Sequence, residues 1–342
     1  MSTSEIRTIL VTGGTGFIGR CLVGQLVQKY GAHRIICLVH KDAAPALEQT
    51  GRALLDQSGV RYIPIDLITG EGLEHVPRSP DIIFHLASNT DTGSNGHRVN
   101  DIGTKNLLKH IGPLSTNTRF IFTSTISATD NREHPHQPGN EESILKRPRS
   151  EYGRRKLETE HLLTQASREQ NFHLAMLRVC AVYGTGTRSD GLYDALVRFA
   201  KKDSLLARLD YPGKMPVMHV DDIADLLIRM SDIPSEPGKP ELFVAAIESI
   251  AIHEMSRAIY HALGKAYRPI HLPQWLWQIT RISSPVIYAL EPILPRFIYN
   301  KLWQLTLLVN DGYDNQSIRL KNVFPEKGYK SFWDNAASLI QR

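Results

Sequence analysis

Tyr152 and Lys156 stand four residues apart, a spacing that sets both side chains on one face of a helix. A phenol, with a reference pKa of about 10, must exchange a proton near neutral pH if it is to serve a C–OH or C=O group. A neighbouring ammonium favours the phenolate and lowers that pKa. The pair therefore suits hydride chemistry at a carbon bearing oxygen, and the same ammonium can bond a ribose. Tyrosine and lysine at this spacing are also common on exposed helices, so the pair needs support. Arg119-Phe120-Ile121-Phe122-Thr123-Ser124-Thr125 is an apolar run ending in hydroxyls. Such residues at the carboxyl end of a parallel strand sit where open α/β sheets bind ligands. Thr125 is the candidate donor to a substrate oxygen, whereas Thr123 reads as a strand-end cap.

A second feature lies near the start. Thr8-Ile9-Leu10-Val11-Thr12 is strand-like and breaks into Gly13, Gly16 and Gly19, three residues apart, with Phe17 and Ile18 among them. A helical pattern follows, and a second strand comes about twenty residues on, the context a diphosphate loop requires. Gly13 can take backbone angles that a Cβ would forbid. Gly16 lets the main chain approach a ligand and Gly19 lets the helix pack on the strand. The positive end of that helix faces the phosphates.

The elements that must position these groups alternate. Strand patterns occur at Thr8–Thr12, Arg34–Val39, Arg61–Asp66, Asp81–Leu86, Arg119–Thr123 and Leu174–Val179, each short and mostly apolar. Helical patterns include Ile18–Tyr30, Asn100–Ile111 and Glu151–Glu169. The alternation predicts α/β architecture, a doubly wound parallel sheet (Rossmann) covered on both faces, with a smaller, mostly helical C-terminal substrate domain. The expected division is a dinucleotide domain over 1–190 and a mainly substrate-binding domain over 191–342, with a strand near 241–245 returning to the sheet. Two polar or Pro-rich stretches, 129–149 and 231–240, read as loops.

The chain has 342 residues, 42% hydrophobic and 22% charged, with net charge +5, a globular composition suited to anionic small ligands. Its Lys and Arg are scattered, and no basic helix with interleaved aromatics points to nucleic acid. The three cysteines form no CxxC pair and read as buried thiols of a reducing compartment. No signal peptide is read in the polar start, so a cytoplasmic setting is expected. His134 and His136 lie in a Pro-rich polar loop without further ligand spacing, so no metal is expected.

The ordered motifs resemble an extended short-chain dehydrogenase/reductase, the group holding nucleotide-sugar epimerases, dehydratases, 3β-hydroxysteroid dehydrogenases and dihydroflavonol-type reductases. The likeness runs from Thr12 to about Asp225. It covers the glycine loop, Asp66 in Ile65-Asp66-Leu67, His85-Leu86-Ala87-Ser88, Asn100 in Val99-Asn100-Asp101-Ile102-Gly103-Thr104, Ser124-Thr125 and Tyr152 with Lys156. It continues through Leu177-Arg178, Val182-Tyr183-Gly184 and His219-Val220-Asp221-Asp222. The resemblance implies that Thr125, Tyr152 and Lys156 form the catalytic set. It implies that Asp66, with Leu67, meets the adenine, and that Leu86, Ala87 and Ser88 lie beside the pyrophosphate and ribose. Asn100, Asp221 and Asp222 match structural positions. Two departures stand out: Val179 replaces a usual proline, and Thr129-Asp130 replaces a Tyr-Gly pair.

An NAD site commonly has an acid at the end of the second strand. Here the strand ends His40-Lys41, two basic side chains suited to a 2′-phosphate, with Asp42 close by. NADP is favoured over NAD. Dehydratases of this group carry Asp-Glu after the catalytic threonine, and Ile126-Ser127 stands there instead. The reading is an NAD(P)-dependent oxidoreductase interconverting a hydroxyl and a ketone. The alternatives are a nucleotide-sugar 4-epimerase, with Arg188 and Lys214 to meet its diphosphate, and a non-catalytic dinucleotide-binding protein. The apolar region 272–309 carries helical stripes Leu272, Trp275, Leu276, Ile279 and Leu302, Leu305, Val309. Charges interrupt it, so it does not span a bilayer. It points to a small apolar or lipid-like substrate and to peripheral membrane contact through 272–309; association as a homodimer is a further expectation.

Overall fold

The computed structural model describes residues 8–42, 46–89, 97–134, 137–187, 191–309, 313–326 and 328–341. Ten strands are described: β1 (Ile9–Thr12), β2 (Ile35–His40), β3 (Arg61–Ile65), β4 (Ile82–His85), β5 (Arg119–Thr125), β6 (His173–Val179), β7 (Ala181–Tyr183), β8 (Lys214–His219), β9 (Glu241–Val244) and β10 (Glu248–Ala251). The main helices are α1 (Phe17–Tyr30), α2 (Ala46–Gln57), α3 (Arg98–Ile111), α4 (Glu151–Gln170), α5 (Leu192–Lys201), α6 (Leu205–Arg208), α7 (Val220–Met230), α8 (Ile252–Ala262), α9 (Gln274–Ala289) and α10 (Arg296–Leu307).

The chain forms two compact units. The first comprises residues 1–125, 151–178 and 220–243 and holds a seven-stranded sheet ordered β3-β2-β1-β4-β5-β6-β9. Pairing is parallel from β3 through β5. β1 and β4 are buried at every position, as strands covered on both faces must be. Leu10, Ile83, Phe120 and Phe122 meet Leu107 of α3 and Leu163 of α4 in one apolar cluster. The strand order reverses at β1, with β2 on one side and β4 on the other, and this reversal opens the crevice where such sheets take ligands. Asp221 and Asp222 lie in the first turn of α7, where carboxylates meet the positive helix end. The Asp221 carboxylate also accepts the Cys21 thiol of α1 at 3.1 Å.

The second unit, residues 126–150, 179–219 and 244–342, contains a three-stranded sheet ordered β10-β8-β7. Sequence patterning did not show this sheet: β7 has only three residues, β8 carries Pro216, which breaks a strand pattern, and β10 begins with the polar Glu248 and Ser249. The two apolar stripes of α9 and α10 are also less buried than their pattern suggests. Trp275 and Ile279 are 57% and 56% exposed, and Leu305 is 56% exposed. Val309 is buried, and Tyr288 of α9 shares a hydrogen bond with Thr306 of α10 at 3.2 Å. No helix among the described residues is long and apolar enough to cross a membrane.

The glycine loop depends on contacts that only hydrogen side chains permit. A Cβ on Gly19 would stand 2.0 Å from the Gly13 carbonyl oxygen, and one on Gly13, whose φ is +73°, would stand 2.7 Å from the Ala87 amide nitrogen. Helix α1 therefore rests on the loop, and the loop rests on the end of β4. Gly24, five residues further along α1, has nothing within 4 Å of the same position. Gly19→Ala is expected to cost several kcal/mol, because backbone must move. Gly24→Ala should instead gain up to about 1 kcal/mol of helix propensity. Chemical denaturation of the two variants checks this contrast, and equal effects would contradict it.

Candidate active site and dinucleotide cleft

A cavity of about 480 Å³ opens at the β1–β4 reversal. Gly13, Thr15 and Gly16 line it from the loop, Leu38, Val39 and His40 from β2, Ile65 to Ile68 from β3 onward, and Leu86 to Asn89 after β4; Glu48 and Val99 complete it. Gly16 caps α1 and donates its amide to the Gly13 carbonyl at 3.1 Å. The cradle has the shape of close backbone approach: Cβ atoms at Gly13 and Gly19 would close it on itself. These residues fit a dinucleotide pyrophosphate at the α1 N-terminus.

The two loop ends are tied by a directional hydrogen-bond chain. The Ala87 amide donates to Thr12 Oγ1 at 3.0 Å, and Thr12 Oγ1 lies 2.8 Å from His85 Nδ1. His85 Nε2 lies 2.8 Å from Thr104 Oγ1, whose own proton goes to the Asn100 carbonyl at 2.6 Å. Since Thr104 donates onward, it accepts from Nε2–H, and Nδ1 accepts from Thr12; this assigns the neutral Nε2–H tautomer. Burial, and secondarily the charge of Lys156, push the His85 pKa down to about 3, so the ring stays neutral.

The structure brings Tyr152, Thr125 and Ser88 together, with Lys156 on the same face of α4. The Tyr152 hydroxyl is hydrogen bonded to Ser88 and Thr125. Thr125 ends β5 and is buried, and Ser88 follows β4 and also donates to Asn100 Oδ1 at 2.9 Å. The His97 ring lies 5.9 Å from the Tyr152 ring and sends Nδ1 to the Asn89 carbonyl at 3.0 Å. Lys156, only 1% exposed, donates to the Thr123 carbonyl at 2.8 Å and stands 4.6 Å over the Phe122 ring. The expected depression of the phenol pKa is not what these contacts produce. Burial raises the Tyr152 pKa, against the pull of the Ser88 and Thr125 hydrogen bonds. The ammonium is turned toward Thr123, and burial brings Lys156 itself down to about 7, with Glu160 acting against that fall.

Glu160 and Arg178 form a layer beneath this group that the sequence reading did not assign. The Glu160 carboxylate accepts Ser124 Oγ at 2.5 Å, Arg178 Nε at 3.0 Å and the Arg178 guanidinium again at 2.7 Å. Both side chains are about 95% buried, at 5% and 4% exposure. The signal was present: Tyr152, Lys156 and Glu160 recur every four residues along one helix face.

Of the residues expected at the cofactor, Gly13, Gly16, His40, Asp66, Leu67, Leu86, Ala87 and Ser88 line the cavity. Phe17, Ile18 and Gly19 instead build the first turn of α1 behind the loop. Lys41 does not line it. Its ammonium bonds Glu71 at 2.5 Å and stands 3.8 Å from Asp66. Asp66 is partly desolvated, but amides of Thr69 and Ile68 donate to its carboxylate and hold its pKa below the usual range. Thr15 and Glu48 line the cavity without having been anticipated. Arg188 and His136 lie outside the described residues, and no group of three or more potential metal ligands occurs among those described.

A glycine loop at the switch point of a Rossmann sheet, with a Tyr–Lys pair at the strand ends, defines an extended short-chain dehydrogenase/reductase. The chain belongs to the NAD dependent epimerase/dehydratase family, whose model matches residues 9–246. It is 26% identical over 310 residues to 3beta-hydroxysteroid-dehydrogenase/decarboxylase isoform 2 of Arabidopsis thaliana, with 85% of this chain covered. It spans about half, 52%, of that relative's length. It is 25% identical over 320 residues to 2-alkyl-3-oxoalkanoate reductase of Stenotrophomonas maltophilia, covering 86% of this chain and 88% of the relative. Among solved structures it resembles UDP-glucuronic acid 4-epimerase of Bacillus cereus, determined with UDP-glucuronic acid and NAD. The TM-score is 0.73 at 20% identity, and each chain is 98% covered, a likeness of fold.

Burial of Lys156 has a thermodynamic consequence. Its folded pKa of about 7 lies below the unfolded value of about 10.4. Between these limits the unfolded chain holds a proton that the folded chain lacks, so stability rises with pH by up to about 1.4 kcal/mol per unit. Urea denaturation from pH 7.5 to 9.5 is expected to show this rise in the native protein and a flatter profile in Lys156→Met. Parallel profiles would mean that Lys156 titrates normally.

Proposed function

We propose that this chain is an NAD(P)-dependent oxidoreductase that interconverts a hydroxyl and a ketone, on an apolar, lipid-like substrate. The observation that carries the reading is the Tyr152 hydroxyl bonded to Thr125 and Ser88, with Lys156 one helical turn further along α4. A nicotinamide dinucleotide, when bound, supplies or accepts the hydride. The chain's own groups handle position and protons. Gly13, Gly16 and Ala87, which line the cavity, present backbone to a pyrophosphate at the start of α1, and Asp66 and Leu67, which line the same cavity, take the adenine. Thr125 holds the substrate oxygen by hydrogen bonding. Tyr152 exchanges the proton at its hydroxyl, and Lys156, when protonated, adds positive charge on the same face of α4. Lys156 also serves to hold a ribose through its ammonium.

The preference for NADP expected from His40 and Lys41 draws little support from the contacts, because Lys41 already faces two carboxylates. A pure binding protein has no need of a buried lysine amine, which costs folding energy. A 4-epimerase acting on a nucleotide sugar needs a second diphosphate site. Of the cations expected there, Lys214 is exposed and Arg188 is outside the described residues. The relatives named as a hydroxysteroid dehydrogenase/decarboxylase and an oxoalkanoate reductase support the apolar substrate. So does the second unit's α9, which exposes Trp275, Ile279, Ile282 and Val286 along one face, at 57%, 56%, 76% and 61%. That face supports peripheral membrane contact on an otherwise cytoplasmic protein.

Tyr152→Phe removes only the ionisable oxygen. Turnover of a ketone substrate is expected to fall by about 10²–10⁴-fold, while dinucleotide affinity measured by titration changes little; undiminished turnover would refute the catalytic assignment. For the membrane contact, the protein should float with mixed phosphatidylcholine and phosphatidylglycerol vesicles on a density gradient. The double change Ile282→Asp and Val286→Asp should leave it at the bottom, and native protein that never floats ends the idea.

A further inference from the structure

The adenosine half of the cleft carries a carboxylate from an unexpected place. Helix α2 lies directly on the glycine loop, because Gly51 has no side chain. A Cβ there would stand 2.5 Å from Thr15 Cβ and 2.8 Å from the Thr15 carbonyl oxygen. One turn earlier on α2, Glu48 is thereby brought to the loop, and its Oε2 accepts the Thr15 hydroxyl at 2.6 Å. Its Oε1 accepts Arg52 Nε at 3.3 Å. The Glu48 side chain is 12% exposed and lines the cavity with Thr15 and His40. An ionised carboxylate accepts about four hydrogen bonds, so these two leave each oxygen able to accept another.

The cations near this end are already paired, Arg52 with Glu48 itself and Lys41 with Glu71 and Asp66. Arg52 also donates to the carbonyls of His40 and Lys41, which pins its guanidinium against the end of β2. Lys41 faces Glu71 and Asp66. The ionisable side chains that line the cavity are thus two carboxylates, Glu48 and Asp66, and one imidazole, His40. A phosphate on the adenosine ribose would bring nearly two negative charges to carboxylates, and like charges juxtaposed in a partly desolvated site are strongly unfavourable. Free ribose hydroxyls are donors, which is what a carboxylate with spare lone pairs accepts.

We infer that Glu48, delivered by α2 rather than by the end of the second strand, takes the adenosine ribose hydroxyls and makes the chain select NAD over NADP. The selection rests on the dinucleotide reading of the cleft. Thr15 and Arg52 act as positioning residues that hold the carboxylate in place, and Gly51 permits the contact.

Direct binding separates this from the parent reading. Native protein is titrated with NADH and with NADPH, following quenching of intrinsic tryptophan fluorescence or the heat of binding. NADH is expected to bind at least about tenfold more tightly. Glu48→Gln, which keeps the shape and removes the charge, should weaken NADH and strengthen NADPH, moving the ratio toward one. Thr15→Val, which removes the anchoring hydroxyl, should move it in the same direction by a smaller factor, and serves if the first variant does not fold. Tighter binding of NADPH by the native protein, or a ratio unmoved by either variant, overturns the role of Glu48 and leaves the dinucleotide cleft intact. Binding of neither dinucleotide overturns both.

Discussion

A lysine amine held out of water underlies the candidate active site. Lys156 is 1% exposed and its ammonium has one described hydrogen bond, to the Thr123 carbonyl. A buried ammonium is tolerated only where neighbouring groups compensate it. The Phe122 ring face and the Glu160 carboxylate one turn along α4 supply that compensation, and Arg178 keeps Glu160 from overcorrecting. β5 contributes Thr123 to the lysine, Ser124 to the glutamate and Thr125 to the phenol, so three successive residues of one strand end fix three partners on α4 and its surroundings. Moving β5 relative to α4 would strand a charge, which couples the geometry of the site to the stability of the sheet.

The cleft is built on a different principle. It relies on steric absence: glycine at 13, 19 and 51 lets a loop, a helix start and a second helix meet at distances no Cβ allows. These contacts bring main-chain amides and one carboxylate to the cavity without long side chains. The His85 chain from Ala87 through Thr12 and Thr104 to Asn100 then fixes β1, β4 and α3 with a neutral ring, so no extra charge enters beneath the cleft.

Local pattern and long-range pairing divide what the residues reveal. The strand–loop–helix start, the alternation of short apolar strands with helices and the Tyr152–Lys156 pair are visible in the chain, since sterics and periodicity act over a few neighbours. Strand limits were legible to within a residue or two; β5 runs two residues past its expected end, to Thr125. The small sheet of β7, β8 and β10 was not read, because Pro216 breaks the pattern of β8 and its partners come from distant segments.

Read alone, the residues were enough to establish a doubly wound sheet with a glycine-rich loop after its first strand, and a tyrosine and a lysine on one helix face. Which charges face which emerged from the folded chain. Lys41 meets Glu71 thirty residues away, Glu48 meets Thr15 thirty-three residues back, and Glu160 meets Arg178 from the next strand. The physical reason is range. Backbone sterics and side-chain periodicity are set by adjacent residues, whereas the sign of the field at a binding site is the sum over side chains that meet only after the chain has closed on itself.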